Sequence, residues 1–235
     1  MNQIFADRFR SARVLNGLSL QDLADKLNNK VSRQALHKYE KGEVVPDSEM
    51  INLLCETLNV KPDFFFRETN VVMSSIEFRK LKKLPAKDEQ RIIEEVKDKL
   101  SRYLELEEIL SLETRFVNPL EGKLSVINSF EDVVKAAKIV RDAWSLGEDP
   151  ISNSLELLED NNIKIIEVEA GESFDGMQTW VNNNIPVIAI NTDRVKSSDR
   201  RRFTAIHELA HLLLPINHLP ERKKGTYCHQ FAGAF

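Results

Sequence analysis

The residues best suited to chemistry lie in one stretch, "RRFTAIHELAHLLL", residues 201–214. On an α-helix, positions i and i+4 sit one turn apart on the same face. His207 and His211 can therefore aim both imidazoles at one ion. Glu208 is turned about 100° from His207, too far to ligate beside them but near enough to take a proton from a water held there. Ile206, Leu209, Ala210, Leu213 and Leu214 are apolar, so the segment should sit in a core that excludes water and fixes the rings. The bland alternative is a core helix with two satisfied histidines. Burying two ionisable rings and a carboxylate without a metal or partners costs several kcal/mol, which weighs against it.

The pattern is the HExxH motif. Zinc in such a site lowers the pKa of its water to about 7 and polarises a scissile carbonyl. Glu208 would act as general base and then pass the proton to the leaving amine. His207 and His211 would be ligands and Zn2+ the cofactor.

The elements that must position this helix follow from patterning. "FEDVVKAAKIVRDAW" (130–144) and "ISNSLELLEDNN" (151–162) read as helices. "IKIIEVE" (163–169) and "IPVIAIN" (185–191) are rich in Ile and Val and read as strands. "GESFDGMQTWVNNN" between them reads as a loop or a further short strand. Upstream, residues 76–113 are highly charged, with Ile and Leu at helical spacing and a break at Pro85. They read as a short helix and then a long solvated connector helix, with a dimerising coiled coil as the lesser alternative because fewer than four clean heptads are present.

Residues 5–66 carry a different pattern: short amphipathic helices and no strand alternation. Phe5, Phe9 and Ala12 make one stripe; Leu20, Leu23, Ala24 and Leu27 make a second. Ser19 should cap the second helix, with Asp22 three residues on. Ser32 opens the third, which Gly42 closes. Pro46 and Asp47 start the fourth, with Met50, Leu53, Leu54 and Leu58 inward. Two helices joined by a tight turn form a helix-turn-helix, whose second member enters the major groove. Its outer face here carries Arg33, Gln34, His37, Lys38 and Lys41. Arginine can pair with guanine and glutamine with adenine, while lysines reach phosphates. Ser32 at its start and Gln21 on the preceding helix are placed near the DNA backbone. The alternative is a helical module that docks on protein. Residues 1–67 hold ten basic and nine acidic side chains, so only the clustering on one helix argues for double-stranded DNA.

Composition bounds the rest. At 235 residues, two domains and a connector are the natural expectation. Net charge is −4, so the chain is no polycation, and any DNA binding must be local. No apolar run approaches a membrane span, and the first ten residues lack the pattern of an export signal. Cys55 and Cys228 then read as two thiols in a cytoplasmic protein with no membrane partner.

Two resemblances sharpen this reading. "LSLQDLADKLNNKVSRQALHKYEKGEVVPDSEMINLLCETLNV" is similar to the Xre/Cro-type helix-turn-helix family over about residues 4–66. It departs at "NNK" (28–30), where that family more often has a single glycine. "FDGMQTW…IPVIAINTD…SSDRRRFTAIHELAHLLL" resembles the ImmA/IrrE metallopeptidases over about 126–235. That second likeness implies a third ligand from the following helix, usually a carboxylate. The last turns of "ERKKGTYCHQFAGAF" hold no acid, so His229 is favoured, with Glu221 as the alternative and Cys228 behind it. His218 should be exposed. The likeness also implies an edge strand, from 174–176 and "IPVIAIN", that pairs with an extended substrate. Trp180 could wall that cleft, although core packing suits a lone tryptophan better. Relatives continue past the position of Phe235, so the peptidase domain is expected to be incomplete.

The expected fold is α+β and mostly helical: an all-α helix-turn-helix bundle (1–68), connector helices (69–125) and a zincin-like domain with a small sheet and an HExxH helix (126–235). The resemblance implies a DNA-binding transcriptional regulator whose zinc endopeptidase domain cleaves a repressor-type transcription factor. The rival is a regulator or antitoxin whose zinc domain only senses or binds a partner. Helix-turn-helix modules read paired half-sites, so a homodimer is expected.

Overall fold

The computed structural model describes residues 2–69, 71–80, 84–112, 114–172 and 174–235, with 74–80 described by backbone alone. The chain forms two compact units. One comprises residues 1–70 and 84–101, the other 71–83 and 102–235.

The first unit is all-helical: α1 (Asn2–Leu15), α2 (Leu20–Lys26), α3 (Arg33–Glu40), α4 (Ser48–Leu58), a 3-10 turn (Pro62–Phe66) and the first part of α5 (Ala86–Ile109). Local chemistry sets the ends. Ser19 caps α2 in a reciprocal box with Asp22, and Ser32 and Asp47 cap α3 and α4. The turn after α2 is built by Asn28 and Asn29, both left-handed at φ 51° and 56°. Asn29 N–H donates to Ala24 C=O and Asn28 N–H to Asp25 C=O, so the pair closes α2 as a Schellman motif. Asparagine tolerates this backbone, which explains "NNK" where a single glycine was expected. Phe5, Phe9, Leu23, Leu36, Leu54 and Phe65 fill the core.

Helix α5 is less solvated than its charge suggests. Ile92, Val96 and Leu100 are fully buried. Arg8 of α1 donates to Asp98 (2.9 Å) and to the carbonyl of Phe64 (3.0 Å), and Ser11 donates to Glu94 (2.8 Å). The expected solvated connector is thus, in its first half, a packed member of the helical unit.

The second unit is a four-stranded sheet covered by helices. The strands are β1 (Met73–Lys80), β2 (Lys164–Val168), β3 (Phe174–Val181) and β4 (Ile185–Asn191), in the order β1-β3-β4-β2. β3 runs antiparallel to both β1 and β4, whereas β2 and β4 are parallel. Asn182 and Asn183, at φ 50° and 65°, form the turn that joins β3 to β4. The helices are α6 (Phe130–Ala143), α7 (Ser154–Asp160), α8 (Ser198–Leu213) and α9 (Glu221–Ala234). Ala136, Val140, Ile188, Ile190, Leu209, Leu213, Cys228 and Phe231 share one core.

Two expectations are corrected. Residues 76–80, read as part of a short helix, belong to β1. Their Glu and Lys content looked helical, but the edge of β3 offers unpaired backbone groups that an extended segment satisfies. As a result β3 and β4 are interior strands, and the edge expected of 174–176 and 185–191 is taken by β1. No helix among the described residues is long and apolar enough to cross a membrane.

Candidate metal centre and nucleic-acid interface

Helix α8 is capped by Ser197, whose side chain accepts from Arg200 N–H. It carries the HExxH residues on two adjoining faces. Thr204 and Glu208 face β3, where Gly176 lets the helix come down onto the strand. A Cβ on Gly176 would stand 3.0 Å from Thr204 Cγ2, 3.2 Å from Glu208 Cγ and 3.2 Å from the Ala189 carbonyl. A side chain there would be tight against all three neighbours, so Gly176 lets α8 lie close on β3 at Glu208. Glu208 is 1% exposed and His207 3%.

The other face meets α9. The ring centroids of His207 and His211 lie 5.2 Å apart, and those of His207 and His229 6.1 Å. The ring of Phe203, one turn before His207, lies edge-on to His229 at 4.6 Å. Two imidazoles on one tetrahedral zinc, with Zn–N near 2.1 Å, hold their centroids about 5 Å apart. The His207–His211 pair has that spacing. His229 stands wider, on an exposed ring at the surface of α9. Among the described residues no three His, Cys, Asp or Glu side chains are already gathered at metal-binding spacing. The donor set therefore fits zinc through His207 and His211, whereas His229 stands outside that spacing on α9. Glu221 is farther from that role: its side chain is 78% exposed and accepts from Lys224 at 2.7 Å. Cys228 is fully buried in the core, and His218 is exposed.

Two residues without an assigned role brace the site. Asn191, wholly buried at the end of β4, donates to the carbonyls of Gly171 (2.7 Å) and Phe174 (2.8 Å) and accepts from Ala170 and Asp193 N–H. One amide thus ties the loop before β3 to the loop that leads into α8. Asp175, 2% exposed, accepts from Arg194 (2.8 Å) and Arg200 (2.9 Å), which pins the start of α8 to β3. Their sequence signal was a polar residue at the end of an apolar strand and one arginine on each side of the α8 cap. Trp180 is half-buried, edge-on to Phe116 at 5.7 Å. It helps line a cavity of about 480 Å³ with Asn162, Lys164, Ile185 and Pro186, a cavity that includes none of the histidines.

In the helical unit, Arg33, Gln34, His37, Lys38 and Lys41 are all exposed along α3. Leu36 is buried beneath them. Ser32 is exposed and spends its hydroxyl oxygen on Ala35 N–H, and Gln21 donates to Asp25 at 2.9 Å. Arg13 holds α3 against α1 through Glu40 (2.6 Å) and also donates to the Leu18 carbonyl.

Two stretches of the chain match known family models. Residues 9–65 match the helix-turn-helix family model, and residues 158–234 match that of the IrrE N-terminal-like domain. The chain thus carries one stretch similar to the helix-turn-helix family and another similar to the IrrE N-terminal-like domain. The first module is also similar to the SPbeta prophage-derived uncharacterized HTH-type transcriptional regulator YonR of Bacillus subtilis (strain 168). They are 34% identical over 67 residues, 28% of this chain and 60% of the relative. No solved structure matches the chain. The IrrE-like match begins in α7 and ends in α9, so it spans β2, β3, β4 and the whole HExxH helix. β1 and α6 lie outside it.

Proposed function

We propose that the protein is a DNA-binding regulator whose IrrE-like domain is a zinc endopeptidase acting on a repressor-type transcription factor. One observation carries the reading: a buried carboxylate, Glu208, adjoins a histidine pair with the spacing of a shared zinc. When bound, zinc supplies Lewis acidity that polarises a scissile carbonyl and acidifies a water. His207 and His211 would hold the ion, with His229 as the third ligand. Glu208 takes the proton from the attacking water and delivers it to the leaving amine. Its burial fixes the carboxylate beside the histidine pair. Gly176 and Asp175 keep α8 seated, and the Phe203 ring steadies His229.

The exposed face of α3 supports binding to a double-stranded operator, with Arg33 and Gln34 at base edges and Lys38, Lys41, Gln21 and Ser32 toward the backbone. A peptidase held on DNA would meet a neighbouring bound repressor at raised effective concentration. A homodimer would suit paired half-sites. Zinc-loaded protein mixed with a panel of helix-turn-helix repressors should yield new fragments, and Glu208→Gln should cut at least about a hundredfold more slowly while keeping its zinc. Equal cutting by both proteins would rule the chemistry out. The rival reading is a zinc domain that only senses or binds a partner. It draws support from the wide 6.1 Å separation of His229 and the outward Glu221, and it predicts zinc binding without fragments.

A further inference from the structure

β1 is a strand supplied from outside the IrrE-like match. In sequence it lies between two segments of the helical unit, yet it pairs with β3 in the sheet of the other. Its partner strand carries the residues nearest the candidate base. Gly176 touches the space of Glu208, and Asp175 pins α8. The register runs Glu77↔Gln178, Phe78↔Met177, then Lys80↔Phe174. Between the last two pairs Arg79 alone opposes both Asp175 and Gly176. The ladder is therefore broken at the site, with a further shift between Met73 and Ile76. Paired strands lie about 4.8 Å apart. The β1 backbone opposite Gly176 thus passes one strand spacing from the residue that seats Glu208.

We propose that β1 occupies the substrate's place: Met73–Lys80 covers the β3 edge that an extended polypeptide must pair with to be cut. This deepens the peptidase reading and rests on it. The substrate class that follows is an unfolded or locally extended segment, recognised by main-chain hydrogen bonds to Phe174–Val181. The incoming segment must displace β1. Tethering gives β1 an effective concentration on the order of millimolar. A broken ladder lowers its hold, because a bulge leaves backbone groups unpaired where the register shifts. β1 is then a competitor that a strand with regular pairing can replace, while casual peptides cannot.

The test uses the full chain and two independent variants. In Ile76→Cys/Thr179→Cys, cysteines at directly paired positions would lock β1 when oxidised and release it when reduced. In Glu77→Pro, at the intervening pair Glu77↔Gln178, a lost N–H would weaken the pairing, because bonded and non-bonded pairs alternate along an antiparallel ladder. The probe is a fluorescein-labelled peptide, VVMSSIEFRK, with the sequence of residues 71–80, followed by anisotropy in EDTA so that no turnover is needed. The proline variant should bind the peptide at least about tenfold more tightly than wild type. The locked form should not bind it, and reduction should restore the wild-type level. With zinc, fragment production from the repressor panel should rise in the proline variant and stop, reversibly, on oxidation. Equal peptide binding by locked and reduced protein overturns the proposal, as does undiminished cutting by the locked form, since substrate would then add elsewhere. Those results leave the Glu208→Gln comparison untouched. Cutting that ignores Glu208, with peptide binding still controlled by the lock, would instead remove the peptidase chemistry and, with it, the substrate role given to this edge.

Discussion

Glu208 owes its position to a residue on another element. With 3.0 Å to Thr204 and 3.2 Å to both Glu208 and the Ala189 carbonyl, Gly176→Ala requires these neighbours to give by a few tenths of an ångström. Overpacking of this kind costs about 1–3 kcal/mol. Thermal denaturation should show that loss, and fragment production should fall further than stability alone explains. A variant as stable and active as wild type would mean that α8 does not depend on this close approach. The HExxH spacing was legible in the sequence because helical geometry fixes which residues share a face. The roles of Gly176, Asp175 and Asn191 were not, because each is defined by a neighbour between 13 and 32 positions away.

At the scale of elements, helix starts were readable where a short polar side chain can satisfy an orphan N–H. Ser19, Ser32 and Asp47 all cap the helices that follow them. Ser129 and Asp132 form a further reciprocal box at the start of α6. The N–H of Asn128, then the hydroxyl and N–H of Ser129, hold the Asp132 carboxyl below its ordinary value of 3.8. A group with a lowered folded-state pKa stabilises the fold above its unfolded pKa, and that contribution is lost as pH falls through the folded value. Melting temperature should therefore drop on acidification below about pH 4, and Asp132→Asn should be less stable than wild type at neutral pH and show a shallower drop. Parallel acid profiles would remove the box from α6 stability. The strands were legible in proportion to burial: "IPVIAIN" is β4 residue for residue, since both of its faces are covered. β1 was missed because an edge strand can be charged and irregular, and its partner, not its own pattern, makes it a strand.

The whole molecule carries matches to the helix-turn-helix model and to the IrrE N-terminal-like model in one chain, and this pairing was visible from two short stretches. How the chain threads its units was not visible. Residues 73–80 join the sheet while described residues before and after them in sequence belong to the helical unit, a connectivity that no local pattern encodes. All of the proposed chemistry depends on His207 and His211 sharing an ion. Elemental analysis of purified full-length protein tests that most directly. The account predicts about one zinc per chain in wild type and in Glu208→Gln, none in His207→Ala or His211→Ala, and weakened retention in His229→Ala. Zinc that survives in His207→Ala, or wild-type protein that takes up none when zinc is supplied, would contradict it.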